Sequence, residues 1–223
     1  MLSYDAVLLD IDGTLVDSNA AHAAAWSDAF ARFGRHHSPE EIRPLIGKGS
    51  DKLLREVASL DNESGEGQRI SDARADIFKA RYLPALQPTR GANAFVAWLL
   101  DSRLTVVVAT SAKQEEVKAL LAICGAEALA KHATTSDDAE RSKPDPDIVV
   151  AALKKSGAPP GRAIMIGDTP YDVEAASRAG LAAIAFRCGG WWDDAALRGA
   201  IAIYDDPGAL LDQLDQSPFS KIA

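Results

Sequence analysis

The sequence is poor in the residues from which zinc sites and disulfide-stabilised folds are built. Among its 223 residues there are two cysteines, Cys124 and Cys188. They lie far apart in the chain, in apolar or glycine-rich surroundings, and neither belongs to a CxxC motif. The sequence therefore indicates neither a structural zinc site nor a disulfide framework, and both thiols are expected to be reduced.

Long apolar segments and an excess of basic residues are absent as well. No apolar run approaches the roughly 20 residues that a membrane-spanning helix needs. Residues 1–16 lack the basic start of a secretion signal and are interrupted by Asp5, Asp10 and Asp12. A formal net charge of -8 would repel nucleic acid and anionic membranes. We therefore expect a cytoplasmic protein with neither nucleic acid nor a membrane as its partner.

The sequence does contain short apolar runs with the Val, Ile and Leu content of buried β-strands, at residues 6–9, 104–109, 163–166 and 181–186. Four helical patterns lie between these runs, at residues 91–102, 113–123, 147–156 and 170–179. Because strands and helices alternate, the sequence predicts an α/β protein with a Rossmann-like parallel sheet and helices on both faces.

One block, residues 17–85, interrupts this alternation with helical patterns alone. Its first helix is predicted to begin at a Ser18 or Asn19 cap and to stop at Gly34, and its second begins with a capping box formed by Ser38 and Glu41. Further helices are predicted after Ser50 and over about 68–82. We therefore predict an all-helical cap domain over 17–85, inserted into a catalytic core made of 1–16 and 86–223.

An acidic cluster directly follows the first apolar run, in the segment Asp10-Ile11-Asp12-Gly13-Thr14. In an open parallel sheet, ligands bind beyond the carboxyl ends of the strands, so both carboxylates are expected at a binding site. A turn that merely ends a strand would explain Asp12 and Gly13, but it gives no reason for an acid at position 10.

Three further polar segments are predicted on the same side of the sheet. Ser111 follows the second run, although by itself it fits a helix cap equally well. Lys143 lies between a serine and a proline, where a lysine is most often a surface residue. After the third run, Asp168 and Asp172 are four residues apart and can face one cavity, although Asp168 alone would also fit a plain cap.

The order of these four segments resembles the haloacid dehalogenase superfamily, and the resemblance covers the whole chain. That superfamily carries DxDGT after the first strand, a Ser or Thr after the second, a Lys, and an acidic GDxxxD motif, all of which occur here in that order. The all-helical insert is similar to the subgroup of phosphoglycolate phosphatases and β-phosphoglucomutases. The resemblance implies a phosphoric monoester hydrolase acting on a small phosphorylated metabolite, either phosphoglycolate-like or a sugar phosphate.

The resemblance also implies roles for the acidic residues. Asp10 would be the nucleophile that forms an aspartyl-phosphate intermediate, and Asp12 the general acid and base. Dehalogenase and phosphonatase members lack an acid at the position of Asp12, which favours phosphate-ester chemistry. Mg²⁺ would be held by Asp10, the backbone carbonyl of Asp12 and Asp168, with Asp172 supporting it through water.

Positive charge is needed because a carboxylate and a phosphate at about 4 Å repel by roughly 4 kcal/mol per charge pair at an effective dielectric of 20. By resemblance, Lys143 would supply part of it and Ser111 would hold the phosphoryl group. Lys48, flanked by glycines on a turn of the helical block, is predicted to reach an anionic substrate. The Trp191-Trp192 pair has no predicted role.

Two other functions use the same motifs. A β-phosphoglucomutase-like phosphomutase would return the phosphoryl group to another hydroxyl of the sugar instead of releasing phosphate. A non-catalytic module that binds phosphate or metal is a weaker alternative, because such a module has no use for a nucleophile together with an acid. A monomer and a homodimer are both compatible with the sequence.

Overall fold

The computed structural model of the protein describes residues 3–63 and 65–220. In this part of the chain, five strands form one parallel sheet: β1 Ala6–Leu9, β2 Thr105–Val108, β3 Ala163–Gly167, β4 Ala182–Phe186 and β5 Ala202–Tyr204. Their spatial order is β2-β1-β3-β4-β5. The predicted α/β class with a Rossmann-like parallel sheet is confirmed, and β5 is a strand that the sequence did not predict.

The α-helices in chain order are α1 Asn19–Arg32, α2 Pro39–Ile42, α3 Ser50–Ala58, α4 Gly65–Ile77, α5 Ala92–Asp101, α6 Gln114–Ile123, α7 Asp147–Ser156, α8 Pro170–Arg178 and α9 Pro207–Asp212. Short 3₁₀ segments occur at Arg43–Leu45, Leu83–Ala85, Glu127–His132, Ser136–Asp138, Pro160–Arg162 and Leu214–Gln216. None of the helices in the described ranges combines the length and the apolarity that crossing a bilayer requires.

Successive residues of the strands face opposite layers of helices, as the twofold repeat of a strand requires. Val7 and Leu9 of β1 pack with α5 and α6, together with the buried face of the helical block that follows β1. Ala6 and Leu8 pack with α7 and α8 on the other side. Both faces of the sheet are thus covered, which explains why the strands read as continuous apolar runs.

Between β1 and α5 the described residues form helices and turns, in agreement with the predicted helical pattern. The capping box of α2 is confirmed, since Ser38 Oγ accepts from the Glu41 amide at 3.2 Å and Glu41 accepts from the Ser38 amide at 2.9 Å. The helix predicted over about 68–82 begins earlier, at Gly65, and its last turn, Phe78–Tyr82, is π-helical.

The two connections of this block to the rest of the chain run side by side. The Asp17 amide donates to the Gln87 carbonyl at 3.0 Å, and the Thr89 amide donates to the Leu15 carbonyl at 3.0 Å. The block is therefore attached at adjacent points near the carboxyl end of β1, and its division from the rest of the chain as a separate domain stays a prediction.

Candidate active site

Three neighbouring strands bring the polar segments to one edge of the sheet. Leu9 of β1 is in register with Val108 of β2 and with Ile166 of β3. The chain after these positions carries Asp10, then Thr110, then Asp168. Because the strands are parallel, these residues lie side by side at the carboxyl edge, where sheets of this class bind ligands.

A group of three buried carboxylates lies at this edge. Oxygen atoms of Asp10, Asp168 and Asp172 all lie within 4.8 Å of one another. Lys143 is 1% exposed, and its Nζ donates to Asp10 Oδ1 and to Asp172 Oδ1, both at 2.6 Å. The motif residues that are far apart in the sequence therefore form one cluster, and Lys143 is a buried member of it and not a surface lysine.

The charges in this cluster perturb one another. Burial raises the pKa of Asp10 to about 7; Lys143 opposes this shift, whereas the charge of Asp172 adds to it. Burial, followed by the charges of Asp10 and Asp172, raises the pKa of Asp168 well above its usual range. Burial alone would lower the pKa of Lys143, but the two adjacent carboxylates raise it overall. The three carboxylates of the cluster thus carry more negative charge than Lys143 alone can neutralise.

This excess of carboxylate charge fits a site for a divalent cation. Three buried carboxylates within reach of one point supply the hard oxygen ligands that Mg²⁺ and similar ions prefer. A cation there would lower the raised pKa values of Asp10 and Asp168, because an opposite charge favours the ionised form.

Two glycines leave the room that the carboxylate of Asp168 requires. A Cβ at Gly13 would lie 2.2 Å from Asp168 Oδ2, and a Cβ at Gly189 would lie 1.9 Å from the same atom. Asp168 is further fixed by Asn19 Nδ2, which donates to it at 2.8 Å, and by Thr14 Oγ1 at 3.1 Å. Asn19 is a site residue that the sequence suggested only as a possible helix cap.

The Asp12 carboxylate lies outside this group of three and contacts the start of the first helix. Its Oδ1 accepts from Ser18 Oγ at 2.6 Å and lies 2.8 Å from His22 Nε2. Burial would raise the pKa of Asp12, but His22 and the hydrogen bond from Ser18 lower it overall. The His22 ring stacks on Phe78 with centroids 4.0 Å apart. Asp12 is thus only two residues from Asp10 in the sequence, but its carboxylate lies in a different electrostatic environment.

The two hydroxyl residues after β2 have different surroundings. Ser111 Oγ donates to the Gly47 carbonyl of the helical block at 3.1 Å. Thr110 is 1% exposed, and its Oγ1 accepts from the Ala112 amide at 3.1 Å. Among the described residues, no acceptor lies within hydrogen-bond distance of the Thr110 hydroxyl proton. Thr110 is therefore a second candidate for the phosphate contact that the sequence predicts for Ser111.

A cavity of about 50 Å³ adjoins Asp10 and Asp12. Its walls come from both parts of the chain: Trp26, Lys48 and Arg74 from the helical block, and Ser111 and Glu116 from the segment after β2. Lys48 thus lines the predicted site, but its Nζ lies 2.7 Å from both carboxylate oxygens of Glu56. Its contact with substrate stays a prediction.

Trp191 contacts the helical block, whereas Trp192 packs against α8. Trp191 is 45% exposed, and the Arg43 guanidinium lies 5.9 Å from its ring centroid. Trp192 meets Tyr171 edge to face at 5.9 Å. Neither residue lines the cavity beside Asp10.

Comparison with known proteins identifies the family. Residues 7–186 match the model described as haloacid dehalogenase-like hydrolase. The validoxylamine A 7'-phosphate phosphatase of Streptomyces hygroscopicus subsp. limoneus is 29% identical over 184 residues, which cover 80% of this chain and 83% of that protein. A phosphoglycolate phosphatase of Pseudomonas syringae pv. tomato is 28% identical over 188 residues, which cover 82% and 69%.

A solved structure is similar over almost the whole chain. It is a Bacteroides vulgatus protein provisionally named a β-phosphoglucomutase, with 26% identity, a TM-score of 0.82, and coverage of 98% of this chain and 91% of the other. These relatives and this structure agree with the subgroup indicated by the four motifs and the helical insert.

Proposed function

Because the chain belongs to the haloacid dehalogenase-like hydrolase family, we propose that it is a phosphatase that removes the phosphoryl group from a small phosphorylated metabolite, with Asp10 as nucleophile. The observation that carries this proposal is the cluster of Asp10, Asp168, Asp172 and Lys143 next to a cavity that Asp12 also lines. The names of the two phosphatase relatives agree with this reaction.

In the first step, Asp10 attacks phosphorus and the bond from phosphorus to the leaving oxygen breaks. Asp12 gives its proton to that oxygen, so the leaving group departs as an alcohol. Because the pKa of Asp12 is lowered in the free protein, Asp12 takes this proton from solvent when the phosphate dianion binds, since a nearby like charge disfavours the carboxylate. Ion pairing with Lys143 keeps the Asp10 side chain oriented for the attack.

In the second step, a water molecule attacks phosphorus of the acyl phosphate. Asp12 takes a proton from this water, the bond between phosphorus and the Asp10 oxygen breaks, and inorganic phosphate leaves. Lys143 and the hydroxyls of Thr110 and Ser111 would stabilise the phosphoryl oxygens in both steps.

We propose that Asp10, Asp168 and the Asp12 carbonyl hold Mg²⁺, with Asp172 supporting it through water. A bound Mg²⁺ would supply positive charge that offsets the repulsion between Asp10 and the phosphate dianion. Asp172 is itself positioned by Thr169, whose hydroxyl donates to Asp172 Oδ2 at 2.7 Å. The raised pKa values of Asp10 and Asp168 support this assignment.

We propose further that residues 17–85 act as a cap over the catalytic edge. Lys52 of α3 donates to Asp145 Oδ2 at 2.6 Å, and Ser142 Oγ donates to Asp51 Oδ1 at 2.6 Å. Both contacts join the helical block to the loop that carries Lys143. Closure of the block over this loop would exclude water from the reacting groups.

The proposal predicts release of inorganic phosphate from phosphomonoesters in the presence of Mg²⁺. Removing divalent ions with EDTA is expected to lower kcat/KM by at least about 100-fold, because the carboxylate cluster then repels the substrate. The measurement is phosphate release from p-nitrophenyl phosphate and a panel of small phosphorylated metabolites, with excess Mg²⁺ added back as the control. No phosphate release from any of them would contradict the phosphatase.

The phosphomutase alternative is supported by the similarity to the Bacteroides vulgatus structure. It predicts a different product in the same experiment. A mutase converts one hexose phosphate isomer into another without releasing inorganic phosphate, and nuclear magnetic resonance of the phosphorus distinguishes the two outcomes.

A pair of substitutions distinguishes the two candidate phosphate hydroxyls. Replacing Thr110 with valine keeps the side-chain shape but removes its hydroxyl, and a roughly 10- to 100-fold loss in kcat/KM is expected for a lost hydrogen bond to a charged group. Ser111→Ala is the matched variant; because Ser111 Oγ already donates to Gly47, a smaller loss is expected. Steady-state kinetics checks this, and a larger loss for Ser111→Ala would reverse the assignment.

A further inference from the structure

The cations that line the cavity beside Asp10 are already paired with carboxylates of the protein. Among the described residues, these cations are Lys48, Arg74 and Lys113. They are the groups that would recognise a second negative charge on a substrate. Whether they are available therefore determines which kind of leaving group the cavity accepts.

Arg74 forms the most buried of these pairs. Its Nη1 donates to Glu116 Oε1 at 2.8 Å and to Oε2 at 3.1 Å, and the two side chains are 8% and 9% exposed. The guanidinium also lies 5.4 Å from the Trp26 ring centroid and 5.9 Å from that of Phe78. Arg74 comes from α4, whereas Glu116 lies in the first turn of α6, where the helix dipole favours a negative charge.

The other two cations are also compensated or lie at the rim. Lys48 Nζ is 2.7 Å from both oxygens of Glu56, and its side chain is 13% exposed. Lys113 Nζ is 3.7 Å from Asp72 Oδ1, and its side chain is 36% exposed. Solvent screens a charge at such a position, so Lys113 contributes little to binding a second anionic group.

We infer that Glu116 is a specificity-determining residue: by neutralising Arg74, it restricts the cavity to phosphomonoesters whose leaving group is uncharged and carries hydroxyls. This inference rests on the proposed phosphatase function. It selects a sugar-like or polyol phosphate over phosphoglycolate and over bisphosphates.

The physical reason is the cost of separating a buried ion pair. A carboxylate or a second phosphate could bind Arg74 only by displacing Glu116, which would leave a buried carboxylate unpaired. The Glu116 carboxylate would also repel the anionic group of the substrate at short range. A hydroxyl avoids both costs, because it donates to Glu116 and accepts from an arginine N–H. Arg74 lines the cavity, and its buried Nε has no partner among the described residues, so its guanidinium keeps one N–H that Glu116 does not use.

The test compares substrates that share the phosphate but differ in the charge of the leaving group. We expect the wild-type protein to hydrolyse glucose 6-phosphate and glycerol 3-phosphate with kcat/KM about tenfold or more above 2-phosphoglycolate and fructose 1,6-bisphosphate. In Glu116→Gln, the ratio of kcat/KM for 2-phosphoglycolate to that for glucose 6-phosphate is expected to rise at least about tenfold, because Arg74 gains an uncompensated charge.

Two further variants exclude a general effect of the substitution. Glu115→Gln removes one charge from the same helical turn, but Glu115 does not line the cavity, and its substrate ratio is expected to match the wild type. In the double variant Arg74→Gln with Glu116→Gln, the gain toward 2-phosphoglycolate is expected to disappear. This second result would show that the gain in relative kcat/KM for 2-phosphoglycolate depends on Arg74.

The outcomes separate this inference from the function on which it rests. Turnover of p-nitrophenyl phosphate together with a wild-type preference for 2-phosphoglycolate would overturn the inference and leave the phosphatase standing. An unchanged substrate ratio in folded Glu116→Gln protein, shown by circular dichroism, would overturn it as well. If p-nitrophenyl phosphate and the whole panel were inert, the proposed function would fail, and the inference with it.

Discussion

Replacing Asp10 with asparagine is expected to abolish turnover, lowering kcat by at least about 10⁴-fold, because an amide oxygen cannot form a stable acyl phosphate. The position of Asp10 supports this expectation. It directly follows β1, an interior strand of the sheet, it is 6% exposed, and Lys143 Nζ donates to its Oδ1 at 2.6 Å. The check is phosphate release at saturating Mg²⁺, together with acid-quench trapping of the phosphorylated protein from a ³²P-labelled substrate.

Asp168→Asn provides the matched control for this substitution. It also removes one negative charge from the carboxylate cluster, but it leaves the proposed nucleophile in place. We expect Asp168→Asn to keep residual turnover that increases with Mg²⁺ concentration, since a weakened metal site is refilled by mass action. Asp10→Asn should show no such recovery. Metal-dependent turnover of Asp10→Asn within about tenfold of the wild type would rule out Asp10 as nucleophile.

The stability of Asp10→Asn distinguishes a lost nucleophile from a lost fold. Burial raises the pKa of Asp10 to about 7 in the folded protein. The folded state thus binds this proton more tightly than the unfolded chain, and the wild type loses stability as pH rises from about 4 toward 7. Asparagine carries no such charge. In EDTA, Asp10→Asn is therefore expected to have a higher Tm than the wild type at pH 8 but not at pH 4.

The sheet and the acidic cluster could be predicted because their signals are local. Each buried strand is a short apolar run, and parallel strands necessarily place their carboxyl ends at one edge. Once β1, β2 and β3 are neighbours, Asp10 and Asp168 meet without any further information. β5 escaped prediction because it has three residues, of which only Tyr204 is buried. Such a short strand forms only because β4 offers it a free edge.

The contacts made by the helical block could not be predicted from local pattern, because they join distant positions. Asn19, 149 residues from Asp168 in sequence, donates to it, and Arg74 reaches Glu116 across 42 residues. One signal was available in the first helix. Asn19, His22 and Trp26 share one face of α1 and are all buried, and polar residues on a buried helical face are rarely there for packing alone.

Asp12→Ala is expected to lower kcat on alkyl phosphates by about 10²- to 10⁴-fold, the usual contribution of a general acid and base. The structure makes a sharper expectation possible, because the two steps need Asp12 differently. An alkoxide leaves poorly without a proton, whereas p-nitrophenolate leaves without one. With p-nitrophenyl phosphate, Asp12→Ala should therefore still form the phosphorylated protein but should hydrolyse it slowly.

The expected measurement is a rapid burst of p-nitrophenol, equal in amount to the protein, followed by slow turnover; alkyl phosphates should give no burst. Ser18→Ala is the control. It removes the 2.6 Å hydrogen bond to Asp12 Oδ1 but keeps the carboxylate, so a loss of less than about tenfold and no burst are expected. If Asp12 only anchored the first helix through Ser18 and His22, both variants would slow the two substrates alike. A burst of p-nitrophenol in Asp12→Ala alone would show that Asp12 is needed to hydrolyse the phosphorylated protein. The absence of a burst with alkyl phosphates would show that Asp12 also protonates the leaving group in the first step.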